Sequence, residues 1–345
     1  MDRGTADDGT PGGLDALDAR LLHALQVDGR APFARIAEVL GAGDRTLARR
    51  WARLRAAGLA RVVGVTAGEA VGTAEWLVRL RVPPAHCVAV ARALAARADT
   101  AWVTVGAGGT EVLSVFRVPE GRVAPLAALG AYGPVAGAEA YRVLHPVMGG
   151  RRWRGRTSAL TPEEVAALRP AGDGEPSPYR GGLSDLDRGL LQALASDGRA
   201  VYPDLARRLG WSQSAVRRRL EVLRGSGAVR FDVETDPRLF GATVQCLLWL
   251  GTFPARTASV AQALSADPEV AFVATVTGAH NVFAIAVCRD IAALHTYLTV
   301  RVPALEGVQR LETTPIDAYT KREAPLRDAG RGRPRYRVER PSESC

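Results

Sequence analysis

The feature that most limits what this chain can fold into is that it contains one stretch twice. Residues 14–66 open LDALDARLLHALQVDGRAPFARIAEVLG, and residues 183–235 open LSDLDRGLLQALASDGRAVYPDLARRLG. The two align without a gap at a constant offset of 169: Asp18 meets Asp187, Asp28-Gly29-Arg30-Ala31 meets Asp197-Gly198-Arg199-Ala200, and Arg49-Arg50 meets Arg218-Arg219. Downstream, Ala101-Trp102-Val103 meets Ala271-Phe272-Val273 at offset 170. A repeat of this length predicts two similar units, each large enough for a small core.

The second copy is the cleaner one. Leu186, Leu190, Leu191 and Leu194 recur at helical spacing behind a capping Ser184, with Asp187 in the first turn. Asp197-Gly198-Arg199 stops that helix. Pro203 opens a second short helix that Gly210 ends. Ser212 caps a third, whose inner face carries Val216, Leu220 and Leu223. Two short helices joined by a tight glycine-bearing turn predict a helix-turn-helix, with the third helix presented outward.

On that third helix Ser212, Gln213, Ser214, Arg217, Arg218 and Arg219 are candidate DNA contacts. Gln and Arg suit purine edges, and later arginines suit phosphates. In the first copy Leu47, Trp51 and Leu54 face inward, and Arg45, Thr46, Arg49, Arg50 and Arg53 are the outward candidates. Gly43 stands for Ser212 and Ala48 for Arg217, so the two helices are expected to read different half-sites. The charge is sorted accordingly. The whole chain carries a formal net +9; residues 14–66 hold nine Arg and five acidic side chains, whereas residues 236–318 hold five and seven.

Each helical unit is followed by strand-like and helix-like runs. In the second copy TVQCLLWLGT, ARTASVAQALSA, VAFVATVTG, NVFAIAVC, IAALHTYLTVRV and VQRLETTPIDAYT read as βαββαβ. The first copy repeats this order, with a short helix expected near Leu126–Leu129. The expected fold class is α+β: two copies of a three-helix winged or helix-turn-helix domain, each followed by a ferredoxin-like βαββαβ sensor. The boundaries are 14–66, 67–146, a linker at 147–182, 183–235, 236–322, and a disordered tail at 323–345.

With L-D-x-x-D-x-x-[IL]-L-x-x-L, D-G-R, R-R-R-x-x-x-L and V-T-G-x-H-N in place, the chain resembles the leucine-responsive regulator/AsnC family of transcription factors over about four fifths of its length. The resemblance implies sequence-specific DNA binding controlled by a small-molecule effector, often an amino acid, held where sensor domains meet. It maps the family's glycine-containing turn onto Gly278, His280 and Asn281, and in the first copy onto Gly108, Thr110 and Glu111. Members usually carry one module per chain and work as dimers or rings. Two fused modules therefore imply a pseudo-dimer within one chain, and a homo-oligomer of such chains. A second reading on the same plan is a siroheme-decarboxylase-like enzyme. The scattered His86, His145, His280 and His295 speak against it, and no Walker loop, G-x-S-x-G or H-E-x-x-H occurs.

Cys87, Cys246, Cys288 and Cys345 form no C-x-x-C pair, so reduced thiols are expected, with no metal site and no cofactor. The acidic, glycine-rich start lacks the features of a signal peptide and no apolar run reaches membrane-spanning length, so no membrane partner and a cytoplasmic location are expected. In the linker, Thr161-Pro162-Glu163-Glu164 predicts a capped helix ending at Pro170.

Overall fold

The computed structural model describes residues 14–68, 71–122, 126, 134–149, 159–170, 182–322 and 324–325. The first half runs α1 (Ala16–Val27), α2 (Phe33–Leu40), α3 (Asp44–Ala56), β1 (Ala60–Thr66), β2 (Thr73–Arg81), α4 (Pro84–Ala95), β3 (Thr100–Gly106), β4 (Glu111–Pro119) and β5 (Gly137–Gly149). A linker helix, α5 (Pro162–Leu168), follows. The second half runs α6 (Asp185–Ser196), α7 (Tyr202–Leu209), α8 (Gln213–Gly225), β6 (Val229–Thr235), β7 (Val244–Thr252), α9 (Thr257–Ser265), β8 (Val270–Val276) and β9 (Val282–Cys288). It ends with α10 (Ile291–Thr296), a π turn over Tyr297–Arg301, β10 (Val308–Arg322) and β11 (Ala324–Pro325). The helix expected near Leu126–Leu129 falls outside the described residues apart from Leu126, and the tail does so apart from its first few positions.

Local chemistry explains the helical ends. Ser184 and Asp187 form a reciprocal capping box on α6, and Thr161 and Glu164 form another on α5. The Ser212 hydroxyl accepts from the Ala215 amide at the start of α8, whereas Gly43 gives α3 no side-chain cap. Gly41 and Gly210 end α2 and α7 in the left-handed conformation.

The strand after each third helix does not fold back as a wing. β1 pairs with β6 of the other half, antiparallel, from Ala60↔Thr235 to Thr66↔Val229. Val63 faces Asp232, its own equivalent at offset 169, so an approximate two-fold axis passes through that pair. The two helical heads consequently share one apolar core, which includes Leu21, Leu25, Ile36, Leu47 and Leu54 with Leu190, Leu194, Val216, Leu220 and Phe231.

Reciprocal contacts lock this union. Arg30 donates to the carbonyls of Gly198 (2.6 Å) and Ala200 (3.1 Å), and Arg199 donates to those of Gly29 (2.8 Å) and Ala31 (3.0 Å). The Arg30 guanidinium lies over the Tyr202 ring and that of Arg199 over the Phe33 ring. Gly29 and Gly198 let the ribbon approach: a Cβ at Gly29 would meet Phe231 Cβ at 2.9 Å, and one at Gly198 would meet Val62 Cγ1 at 2.8 Å. The linker helix breaks the symmetry by packing on α1 and α2 of the first head. Leu168 is fully buried there, Arg20 pairs with Glu164, Arg35 donates to the Ala167 and Arg169 carbonyls, and the Leu160 amide donates to His23 Nδ1.

Beyond the heads, eight strands close on themselves in the order β3-β4-β2-β5-β8-β9-β7-β10, with β10 also paired to β3. Each half contributes four. The long last strands do the joining. β5 pairs with β2 over residues 137–142 and with β8 over residues 143–149; β10 pairs with β7 over residues 308–315 and with β3 over residues 316–321. Helices cover separate clusters outside the ring: α4 over Val78, Leu80 and Phe116, and α9 with α10 over Leu248, Leu250 and Ala284. Where the halves face each other, Leu77, Leu113 and Tyr141 meet Leu247, Trp249 and Phe283.

Candidate nucleic-acid interface and effector site

Helices α3 and α8 turn their apolar faces into the shared core and leave basic faces outside. Arg45, Arg49, Gln213, Ser214, Arg217 and Arg218 are exposed, and Thr46 is half-buried. Among the described residues, the Arg45, Arg49 and Arg218 side chains have no protein partner. Arg217 makes only an exposed pair with Glu221, one turn on (3.1 Å). Ser212 is exposed and serves as the cap of α8, within 3.1 Å of the Ser214 hydroxyl.

Three of the arginines expected to meet DNA are instead held by carboxylates of the first helix. Arg219 grips the fully buried Asp187, with Nη2 at 2.8 Å from Oδ2 and Nε on Oδ1. In the first head Arg50 bonds Asp18 Oδ1 (3.0 Å) and Asp15, and Arg53 pairs with Asp18, which is 1% exposed. A buried carboxylate needs a paired cation, and these arginines supply it. Burial raises the Asp187 carboxyl, but Arg219 and the Ser184 hydroxyl and amide outweigh it and bring it down to about 2. Arg219, expected to meet a phosphate, and Arg50, expected to face outward, are thus engaged inside their own heads, where they brace the third helix against the first. Arg53 remains more than half exposed and keeps an open flank. Arg55 with Asp197 (2.7 Å) and Arg224 with Asp28 (3.4 Å) add a second reciprocal pair between the heads.

In the sensor pair, two of the six turn residues come together. Glu111 Oε1 lies 2.6 Å from Arg79 Nη2, and the same nitrogen lies 2.7 Å from Glu312 Oε1, a residue of the other half. Thr314 donates to Glu111 Oε2 at 3.0 Å. His280 is buried with Nε2 at 3.6 Å from Glu312 Oε2, beyond hydrogen-bond reach. Arg79, only 4% exposed, lies over the Trp249 ring at 5.4 Å. Burial lowers the Arg79 pKa, but its bonds to Glu312 and Glu111 outweigh this and raise it; Glu312 is held below the usual carboxylate range, chiefly by Arg79.

The other turn residues act locally. Gly108 and Gly109 sit at positive φ in the β3–β4 turn, where Thr110 donates to the Ala107 carbonyl at 2.8 Å. Asn281 accepts from the Thr252 amide (2.9 Å) and donates to its carbonyl (3.0 Å) and to Thr257 (3.1 Å). Gly278, at φ 100°, lies under Tyr141 of the first half, whose ring a Cβ there would meet at 2.9 Å. Sequence reasoning missed Arg79, Glu312, Trp249 and Tyr141. One signal was present: Arg79 interrupts the inward series of an apolar strand at the position where the second copy has Trp249.

Among the described residues no helix is long and apolar enough to cross a membrane, and no group of three or more His, Cys, Asp or Glu is placed to hold a metal. Cys87, Cys246 and Cys288 are buried free thiols, and burial pushes Cys246 and Cys288 up to about 11.

Comparison with known proteins agrees with this anatomy. Residues 14–55 and 183–224 match the AsnC-type helix-turn-helix domain, and residues 245–325 match the Lrp/AsnC ligand binding domain. Regulatory protein AsnC of Escherichia coli is 30% identical over 135 residues, which are 38% of this chain and 88% of that protein. An uncharacterized HTH-type transcriptional regulator of Pyrococcus abyssi is 29% identical over 140 residues, 40% of this chain and 89% of its own. The crystal structure of the siroheme decarboxylase NirDL superposes with a TM-score of 0.61 at 12% identity, covering 89% of this chain and 93% of that one, a likeness of fold alone. With AsnC matched over nearly its whole length and its DNA-binding domain present twice, the chain belongs to the Lrp/AsnC family of DNA-binding transcriptional regulators.

Proposed function

We propose that this regulator reads one asymmetric operator with two unequal heads, residues 14–66 and 183–235, under the control of one small effector, an amino acid. The effector is sensed between two ferredoxin-like βαββαβ units, residues 67–146 and 236–322. The observation that carries the reading is the pair Arg49 and Arg218. They occupy equivalent positions, are exposed and lack partners among the described residues, on helices whose opposite faces share one core. Contacts to base edges fall to Gln213, Ser214 and Arg217 in one head and to Arg45 and Thr46 in the other. Arg49, Arg53 and Arg218 neutralise phosphates.

The effector residues are drawn from Gly108, Thr110, Glu111, Gly278, His280 and Asn281, with Glu111 and His280 meeting around Glu312. The protein acts in the cytoplasm, where its DNA is, and assembles as a homo-oligomer of these internally paired chains; light scattering that gave a strict monomer at micromolar concentration would end the last point. His86, His145 and His295 are exposed and lie on α4, β5 and α10, apart from the buried His280, which supports the regulator over a decarboxylase.

Selection of bound genomic fragments, with and without an amino-acid panel, tests the whole reading. A non-palindromic site whose occupancy changes with one amino acid is the expected result. Binding without sequence preference would overturn it.

A further inference from the structure

The two heads also differ at the end of the helix that precedes the recognition helix, and in the turn that follows it. On α7, Arg207 and Arg208 are exposed where α2 carries Glu38 and Val39. In the turn, Trp211 stands where the first head has Ala42, and it is 50% exposed.

The fold does not need that ring. Gly210 and Gly41 end their helices in the same left-handed conformation, and the next amide closes the turn in both heads. Trp211 N–H reaches the Ala206 carbonyl and Ala42 N–H the Ala37 carbonyl, each at 3.1 Å. A small apolar contact suffices at this position of a helix stop, and Ala42 supplies one by packing on the shared core. The Arg208 guanidinium is also spare. Among the described residues it has no protein partner, whereas Arg207 is paired with Asp204 at 2.5 Å.

Both spare side chains stand where a duplex would pass. In a docked helix-turn-helix the helix before the recognition helix crosses the DNA backbone, and the first residues of the recognition helix reach the base edges. Trp211, directly before the Ser212 cap of α8, lies between these two zones. An indole there offers an apolar face to a deoxyribose and an N–H to a phosphate oxygen; Arg208, three residues earlier, offers a positive charge. The first head answers with a carboxylate at Glu38, an aliphatic chain at Val39 and a methyl at Ala42. It adds a second exposed carboxylate, Asp44, where α8 begins with Gln213.

We infer that the second head is the anchor of this chain on duplex DNA. Arg208 and Trp211 grip the backbone beside the half-site that α8 faces, and the first head adds the weaker contacts. This rests on the DNA-binding reading above and adds two contact residues and a rank order of the heads.

The test uses the full chain, titrated at low salt with mixed-sequence duplexes. One of about 12 base pairs, little more than a helical turn, admits a single head, and one of about 40 base pairs admits both. Binding is read by anisotropy of labelled DNA, and tryptophan emission is followed with unlabelled DNA. Arg208→Ala should lower the salt slope by about one on both duplexes. Trp211→Phe should weaken binding about three- to tenfold, and the part of the emission that it removes should be quenched when DNA is added. On the short duplex Arg218→Ala should weaken binding more than Arg49→Ala does. Melting temperatures should stay at the parent value, since all four side chains are exposed. Unchanged affinity and slope in Arg208→Ala and Trp211→Phe, a Trp211 emission that DNA leaves alone, or a loss in Arg49→Ala as large as in Arg218→Ala on the short duplex would overturn the anchor while leaving DNA binding in place. A parent chain that binds neither duplex nor any genomic fragment would overturn the DNA-binding reading itself.

Discussion

The head pair and the sensor pair are both built on an approximate two-fold, and they use it in opposite ways. In the heads, the residues that brace each head and join the two are kept in both copies: Asp18 with Asp187 and Arg50 with Arg219 inside the heads, and Arg30 with Arg199, and Arg55 and Arg224 on Asp197 and Asp28, between them. In the sensors the strand exchange is kept, yet the seam has diverged at Arg79 and Trp249, Glu111 and Asn281, Thr110 and His280. The outward faces of α3 and α8 have diverged as well, with Asp44, Arg45 and Ala48 against Gln213, Ser214 and Arg217. Symmetry persists where contacts support the scaffold, and it lapses on the outward helix faces and along the sensor seam.

The sharpest way to break this contrast is at the buried carboxylates. Asp187→Ala removes the reciprocal half of the α6 capping box and strands Arg219, and should cost about 3–5 kcal/mol, read from denaturant midpoints. Asp18→Ala should cost about as much if the heads are equivalent as scaffolds; a loss below ~1 kcal/mol in either would deny it. Next in size, Arg199→Ala leaves two carbonyls of the facing head without their donor and should destabilise by about 2–3 kcal/mol, matched by Arg30→Ala.

Removing the outward arginines should leave melting unchanged and weaken DNA instead. Arg218→Ala and Arg49→Ala should each reduce the salt slope by about one and cost ~1 kcal/mol in gel-shift titrations. Arg217→Ala should cost ~1–3 kcal/mol and relax the preference at one base pair. Equal losses for Arg219→Ala in a fully folded protein would return that residue to the DNA face.

Acid titration is the mildest probe. Asp187 is depressed to about 2 in the folded chain and near 3.9 when unfolded, so its contribution is complete above about pH 4 and is lost as pH falls toward 2. The span is on the order of 2 kcal/mol, and Asp187→Asn should flatten it. His23 shifts stability in the same direction from a different cause. Burial lowers its pKa, against the pull of Glu164, so the folded chain resists its protonation and stability declines as pH falls below about 6.5. His23→Gln should abolish that shallow decline in melting temperature.

Much of this anatomy was legible in the sequence because it is local. Caps at Thr161, Ser184 and Ser212, stops at Gly41 and Gly210, and the inward series Val216, Leu220, Leu223 depend on neighbours within one or two turns. The remainder depends on partners far along the chain. Asp-Gly-Arg reads as a helix stop, and nothing in its own residues says that Arg30 reaches carbonyls near position 200. The roles of Arg50 and Arg219 were hidden for the same reason, since a sequence displays a charge without its counter-ion. The duplication held a clue: an aspartate 32 residues before each of these arginines, in both copies, at a position where helix-turn-helix packing brings them together. The seam was harder, because Arg79, Glu111, Trp249, Glu312 and His280 come from four strands and a turn, and they differ between copies.

The β1–β6 ribbon has one more consequence. A partnership between separate polypeptides dissolves on dilution, so a two-subunit reader loses its geometry when scarce. Here both strands belong to one molecule, and their pairing is as intact at a single copy per cell as at saturation. The spacing of the two reading helices is thereby freed from how much of the regulator is made, and each half can accumulate changes of its own without having to remain its neighbour's mirror.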